Sequence, residues 1–87
     1  MVVAHYLDAD DRVRWALLHL APLYGTDGAT VIPLIQEQIA ELAGVTRPTV
    51  NRVLRDERKR GTVVLERGRV RIVDQDELER RVPRVGA

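Results

Sequence analysis

The sequence predicts a small α+β domain in which three helices are followed by a β-hairpin and a short last helix. Apolar residues recur at helical spacing in the first part of the chain. Two β-branched runs then flank a glycine-containing turn, which is a hairpin signal. The 87 residues allow one domain with a limited core. We expect it over residues 12–82, between a flexible N-terminal segment, 1–11, and a tail, 83–87.

The first predicted helix begins at an acidic cap, either Asp10 or Asp11, whose carboxylate can accept from a free amide of the first turn. Its buried stripe recurs at helical spacing and consists of Val13, Ala16, Leu17 and Leu20, with Ala21 as a further candidate. We expect this helix to end within residues 21–24. The segment TVIPL that follows reads as extended, and Pro33, which cannot donate to a ladder, predicts an edge strand.

Residue spacing over 36–54 is typical of a helix-turn-helix. Ala40 is small enough to let a second helix cross closely, and Gly44 permits the left-handed conformation at the turn. Val50 would anchor the second helix against the first. The buried face of the first motif helix, QEQIAELA, is predicted to contain Ile39, Leu42 and Ala43. With a basic hairpin directly afterwards, the pattern predicts a winged helix-turn-helix.

Two rules disagree on where the third helix begins. Proline is tolerated in a first helical turn, where its missing amide would have no partner, so Pro48 marks a start. Proline also disfavours helical φ/ψ in the residue before it. We therefore favour Arg47 as the N-cap with Pro48 as the first helical residue, over Thr46 as the cap.

The hairpin is predicted over residues 63–73, with Gly68 as the residue of positive φ. Alternate positions of its second strand are apolar and basic, so one side packs and the other is charged. A last short helix follows, capped by Asp74 or Asp76, and Pro83 ends it.

Charge is strongly polarised along the chain. Residues 1–46 carry a net charge of −4, whereas residues 47–71 hold nine basic side chains against three acidic ones. Clustered cations raise the local potential and release counterions when they bind phosphate, which predicts a polyanionic partner. Two tyrosines, one tryptophan and no phenylalanine leave little aromatic surface for stacking single-stranded bases, so an RNA reader is disfavoured.

The exposed face of the third helix carries side chains that can read bases. Arginine can donate two bonds to guanine, and asparagine pairs with adenine in the major groove. The residues expected to read base edges are Arg47, Asn51 and Arg52. The residues expected to bind phosphates are Thr49, Arg55, Lys59, Arg67 and Arg69.

Other chemistry is not expected. The chain has no serine and no cysteine, and His5 and His19 lie far apart in sequence, so we predict no enzyme, cofactor or metal site. Trp15 is expected to be a partly covered ring that bridges to another element, rather than a stacking platform for single-stranded nucleic acid. No apolar run approaches the roughly 18 residues of a membrane span, and no signal peptide is visible. We therefore expect a cytoplasmic protein with no membrane partner.

One alternative of a different class stays open. A winged helix can serve for dimerisation or docking on another protein without reading DNA. This alternative predicts an apolar exposed patch, and the nine cations within residues 47–71 argue against it.

Three segments carry a resemblance to a known family: "RVRWALLHLAPLYG", "LIQEQIAELAGVTRPTVNRVLRDERKRGTVVLERGRVRIVD" and "ELERR". Over most of its length the chain resembles the C-terminal DNA-binding domain of the cyclic AMP receptor protein and FNR (Crp/Fnr) family of bacterial regulators. The resemblance implies a sequence-specific regulator of double-stranded DNA, with a recognition helix at about residues 47–58 in the major groove and a wing at 63–73 on the backbone. It also implies a homodimer and, in full-length members, a contact with RNA polymerase.

The chain departs from the family pattern at three points. The base-reading pattern of arginine, acid, three residues and arginine matches Arg47 and Arg52, but Pro48 stands where the acid is usual. The family's operator is therefore not carried over. Ile35 replaces the usual threonine or serine cap of the first motif helix. No effector-binding barrel or long dimerisation helix lies within the 87 residues, so we expect either a fragment or a reader without a sensor.

Overall fold

A computed structural model describes residues 7–26 and 29–83. Four helices and a four-stranded antiparallel sheet form the predicted α+β winged fold, with sheet order β1-β2-β4-β3. His5 and the ends of both terminal segments lie outside the described residues. The elements are α1 Ala9–Tyr24, β1 Gly25–Thr26, β2 Ala29–Ile32, α2 Gln36–Ala43, α3 Arg47–Arg60, β3 Val63–Glu66, β4 Arg69–Ile72 and α4 Gln75–Arg80.

The core lies where α1, α2 and α3 meet the inner face of the sheet. The buried stripe predicted for α1 is confirmed at Val13, Ala16 and Leu17, and Leu20 is partly buried against the same core. The core cluster also contains Ala21 of α1 and apolar side chains from all remaining helices and from three strands: Ile32, Ile39, Ala40, Ala43, Val50, Val53, Leu54, Val63, Val70, Ile72 and Leu78. Burial of these apolar surfaces is the main term that stabilises the fold.

The predicted cap of α1 is wrong. Asp8 is the N-cap, and its carboxylate accepts from the Asp11 amide at 2.8 Å. Asp10 and Asp11 instead lie in the first turn, where the helix dipole favours acidic side chains. The helix therefore includes residues 9–11, which the sequence predicts to belong to the flexible N-terminal segment.

The predicted start of α3 is also wrong. Thr46 is the N-cap, its hydroxyl oxygen accepts from the Thr49 amide at 3.4 Å, and Arg47 is already helical. The Val50 amide closes the first turn on the Thr46 carbonyl at 3.2 Å. Pro48 at the second helical position removes an amide that would lack an intrahelical partner, so the capped turn outweighs the bias that proline imposes on Arg47.

The edge position predicted for the TVIPL strand is wrong as well. β2 lies between β1 and β4, with Thr30 opposite Ile72 and Ile32 opposite Val70. The strand ends at Ile32, so Pro33 follows the ladder and no ladder hydrogen bond is lost.

The buried face of α2 is narrower than predicted. Ile39 is fully buried and Ala43 nearly so, but Leu42 is 53% exposed. At about 100° per residue, Ile39, Ala40 and Ala43 already span the arc that faces the neighbouring helices, and Leu42 projects beside it.

The predicted turns are confirmed. Gly44 ends α2 with φ of 69°, in the left-handed region, and Gly68 closes the β3–β4 hairpin with φ of 72°. The cap of α4 is Asp74, which accepts from the Glu77 amide at 3.1 Å. Ile35, the N-cap residue of α2, supplies no side-chain cap, and the Gln38 side chain accepts from the Ile35 amide at 3.0 Å.

Candidate nucleic-acid interface

The outer face of α3, which we define as Pro48, Asn51, Arg52, Arg55 and Lys59, lines one shallow groove on the surface, and the half-buried side chain of Asp56 lines the same groove. The opposite face of the helix is buried, as predicted for Val50, Val53 and Leu54. The fold therefore places two predicted base readers and two predicted phosphate contacts side by side. An exposed helix face of this kind fits the major groove of duplex DNA.

Arg47 lies on a different surface from the outer face of α3. It lines a cleft between the start of α2, the N-terminus of α3 and the hairpin, and Arg69 lines the same cleft from β4. Glu37 and Glu66 also line this cleft, so its charge is mixed. The structure thus brings Arg47 together with the hairpin rather than with Arg52.

Several cations near the interface carry no ion pair. Within residues 7–26 and 29–83, no carboxylate forms a salt bridge with Arg47, Arg55, Arg58, Lys59 or Arg67, and all five side chains are exposed. Sequence reasoning gave Arg58 no role. The sequence nevertheless indicates where Arg58 lies. It follows Arg47 by eleven residues, which is about three helical turns, so both arginines lie on one side of α3.

Three predicted contact residues on α3 are already engaged within the chain. Asn51 accepts from the Gln36 side chain at 3.4 Å through its carboxamide oxygen. Thr49 shares a hydrogen bond of 3.0 Å with the Thr46 hydroxyl. The Arg52 guanidinium pairs with the carboxylate of Asp10 on α1. DNA would have to replace or share these partners.

Part of the positive charge of the hairpin is neutralised internally. Arg69 pairs with Glu66 at 2.9 Å, and Arg71 pairs with the same carboxylate at 3.1 Å. Arg67, in the two-residue turn between the strands, forms no such pair among the described residues. The free positive charge of the hairpin is therefore concentrated at its tip.

A buried polar network supports α3 from behind. Glu57 is fully buried, and one of its oxygens accepts from Arg14 of α1 and from Arg81 at the end of α4, each at 2.8 Å. Its other oxygen accepts from the Thr62 hydroxyl at 2.8 Å. Sequence reasoning missed this network, although Glu57 lies four positions after Val53 and so falls on the buried face of α3.

Two opposing effects set the pKa of Glu57. Burial raises it, but the hydrogen bonds from Arg14, Thr62 and Arg81 outweigh burial and hold the pKa below its ordinary value. The pKa of Arg14 is raised, because its contacts with Glu57 and Asp11 outweigh the effect of its own burial. The network is therefore ionised, and it joins α1, α3 and α4.

The remaining candidate residues form no second site. His19 is exposed, as predicted, and its ring stacks on partly buried Trp15 with centroids 4.8 Å apart. Trp15 faces α4 across a groove that Arg80 and Val82 also line. Over the described ranges, no group of three histidine or acidic side chains is placed to hold a metal ion. None of the helices described is long and apolar enough to span a membrane.

A helix-turn-helix whose second helix exposes basic side chains, followed by a hairpin with a cation at its tip, defines a winged helix-turn-helix protein. The chain matches the family described as the Crp-like helix-turn-helix domain over residues 11–81. It belongs to that family. Named relatives of the chain are transcription regulators.

Individual relatives agree with this assignment. The chain is 42% identical over 80 residues to a CRP-like cAMP-activated global transcriptional regulator of Mycobacterium tuberculosis, covering 87% of this chain and 36% of that protein. Among solved structures it resembles the Thermus thermophilus catabolite activator protein, with 35% identity, a TM-score of 0.71 and coverage of 82% and 32% of the two chains. A Crp/Fnr-family regulator from Eubacterium rectale has 31% identity, a TM-score of 0.76 and coverage of 88% and 34%. The chain thus spans about a third of the length of these relatives.

Proposed function

We propose that this chain reads double-stranded DNA sequence-specifically, with α3 in the major groove and the β3–β4 hairpin on the backbone. The observation that carries the proposal is the outer face of α3. It presents Asn51, Arg52, Arg55 and Lys59 on one continuous groove. The Glu57 network holds this helix against α1 and α4, so the groove is presented on a rigid support.

The roles within the interface follow from position along the helix. Residues near the N-terminus of a recognition helix contact base edges, which supports base reading by Asn51 and Arg52. Base reading by Arg47 stays a prediction, because Arg47 lines the cleft with Arg69 and not the groove on the outer face of α3. Residues nearer its C-terminus and on the hairpin approach the phosphates, which supports backbone contacts by Arg55, Lys59, Arg67 and Arg69. Thr49 lies in the first turn of α3, at the positive end of the helix dipole, where its hydroxyl can contact a phosphate.

Binding to duplex DNA is expected to weaken steeply as salt is raised. A lone domain makes few contacts, so we expect a Kd in the non-specific range of roughly 10⁻⁴ to 10⁻⁶ M at physiological salt. The expected slope of log K against log salt is about −0.9 for each phosphate contact. Fluorescence anisotropy with a labelled duplex across a salt series measures it. Binding that ignores salt, or no binding at any concentration, would contradict the proposal.

Two substitutions on the outer face of α3 should behave differently. Arg52→Ala is expected to relax preference at one base pair and to weaken binding there by roughly 1–3 kcal/mol. Lys59→Ala should weaken binding to all duplexes by a similar factor, because a phosphate contact carries no sequence information. The measurement is affinity for a duplex selected from a random pool and for its single-base variants. If both substitutions change affinity alike, the division into base and phosphate contacts is wrong.

The docking-module alternative predicts an apolar rather than a basic exposed patch, which can be checked on the outer face of α3. Apart from Pro48, every residue of that face is polar or charged. The structure therefore favours DNA over an apolar protein surface as the partner of α3.

Three wider features stay predictions. Tight binding would require a homodimer on two half-sites about one helical turn apart. A contact with RNA polymerase and a cytoplasmic location are expected from the resemblance and from the sequence. Activation by cAMP is described for the mycobacterial relative, of which this chain spans 36%, and we do not extend it to this chain.

A further inference from the structure

A salt bridge joins Asp10, which DNA phosphates would repel, to Arg52, which they would attract. Asp10 lies in the first turn of α1, and Arg52 lies on the outer face of α3, 42 positions later. Their side chains are 39% and 64% exposed, so the pair is open to solvent, and its arginine lies on the face that the proposed function assigns to the duplex. An anionic side chain is therefore placed on a cation that the proposed function assigns to a base.

The neighbouring acids have other partners, which distinguishes Asp10 from them. Asp8 caps α1 through the Asp11 amide, and Asp11 pairs with Arg14 on the same helix. Asp10 is the one acid of this turn, within the described residues, whose side chain crosses to α3. The contact with Arg52 is not needed to cap α1, because Asp8 is the cap of that helix.

We propose that Asp10 competes with DNA for Arg52 and so sets the affinity of the domain below what its outer face would otherwise reach; this inference rests on the proposed function. While an Arg52 guanidinium N–H group donates to Asp10, that group cannot donate to a base. Binding at a site that Arg52 reads must first separate the pair, and it leaves the Asp10 carboxylate facing the phosphates.

The size of the effect follows from the exposure of the pair. Ion pairs at the surface are weak, so Asp10 lowers the affinity by a modest factor rather than blocking the site. The loss falls on duplexes in which Arg52 contacts a base. Where Arg52 finds no acceptor the pair stays closed, and removing Asp10 gains less there.

The test is Asp10→Asn, measured by anisotropy on the duplex selected by the unsubstituted chain and on the same duplex changed at the base pair that Arg52→Ala relaxes. We expect affinity for the selected duplex to rise about two- to fivefold, and to rise less on the changed duplex. Asp8→Asn is the matched control, since it removes the same charge two residues away while asparagine caps a helix about as well as aspartate.

Combining Asp10→Asn with Arg52→Ala separates competition from general charge. The gain should then fall to that of Asp8→Asn, because the contact no longer exists. An Asp10→Asn variant that binds no tighter than the Asp8→Asn control, or whose gain survives Arg52→Ala, would overturn the inference while salt-dependent binding still upholds the proposed function. If the unsubstituted chain binds no duplex, the proposed function fails and the inference fails with it.

Discussion

Replacing Glu57 with glutamine is expected to lower the free energy of unfolding by about 1.5–3 kcal/mol, because it neutralises the buried carboxylate that accepts from Arg14 and Arg81, while Asp11 and Asp56 still pair with the two arginines. Arg14 and Arg81 both donate to one Glu57 oxygen at 2.8 Å, and their side chains are 10% and 22% exposed. Urea denaturation followed by circular dichroism at neutral pH measures the loss.

Glu66→Gln is the matched control for Glu57→Gln. Glu66 also accepts from two arginines, but it lies on the hairpin with 27% of its side chain exposed. Its loss should change stability by less than about 1 kcal/mol, since solvent already screens these pairs. Equal effects of the two substitutions would show that burial does not set the strength of the Glu57 network.

The lowered pKa of Glu57 makes the difference in stability between the unsubstituted chain and Glu57→Gln depend on pH. A carboxyl whose pKa is lowered by folding stabilises the fold above its unfolded value, which is about 4.3, and that stability is lost as the pH falls through the folded value. Other carboxylates contribute to acid unfolding as well, so the informative quantity is the difference in the free energy of unfolding between the unsubstituted chain and Glu57→Gln. That difference should be constant near neutral pH and shrink below about pH 4.3.

The second large effect is expected on α2. Ile39→Ala should lower the free energy of unfolding by about 2–5 kcal/mol, because it opens a cavity beneath the helix. Leu42→Ala, three residues away on the same helix, should change it by less than about 0.5 kcal/mol, because Leu42 is 53% exposed and Ile39 is fully buried.

The same denaturation series tests this pair. If Ile39→Ala does not fold, Ile39→Val should still cost about 0.5–1.5 kcal/mol and keeps the comparison measurable. Similar losses for the Ile39 and Leu42 variants would mean that α2 packs as its amphipathic pattern suggested, with both side chains in the core.

Periodicity predicted the helices and the hairpin because it reports which residues are removed from water. Val50, Val53 and Leu54 recur at helical spacing, and all are buried. Helix caps were predicted less well, because several neighbouring side chains can each accept the same free amides. Asp8, Asp10 and Asp11 are chemically equivalent candidates, and backbone geometry selected Asp8.

The candidate interface could be predicted as a set of residues but not as an arrangement. The charge pattern placed the cations on α3 and the hairpin, and the structure brings Asn51, Arg52, Arg55 and Lys59 together on one groove. It separates Arg47 from that groove and places it with Arg69. Which cations are neutralised depends on acids distant in sequence, and periodicity carries no information about such pairs.

The sequence by itself determined that this chain is a winged helix-turn-helix with a basic third helix, since apolar spacing, Gly44 and Gly68 are local properties of the chain. Only the tertiary structure decided that Glu57 is buried between two arginines and that Asp10 contacts Arg52. The physical reason is that burial and charge pairing depend on which helices meet in space. An acid on α1 affects the reading helix only because the fold brings α1 alongside α3.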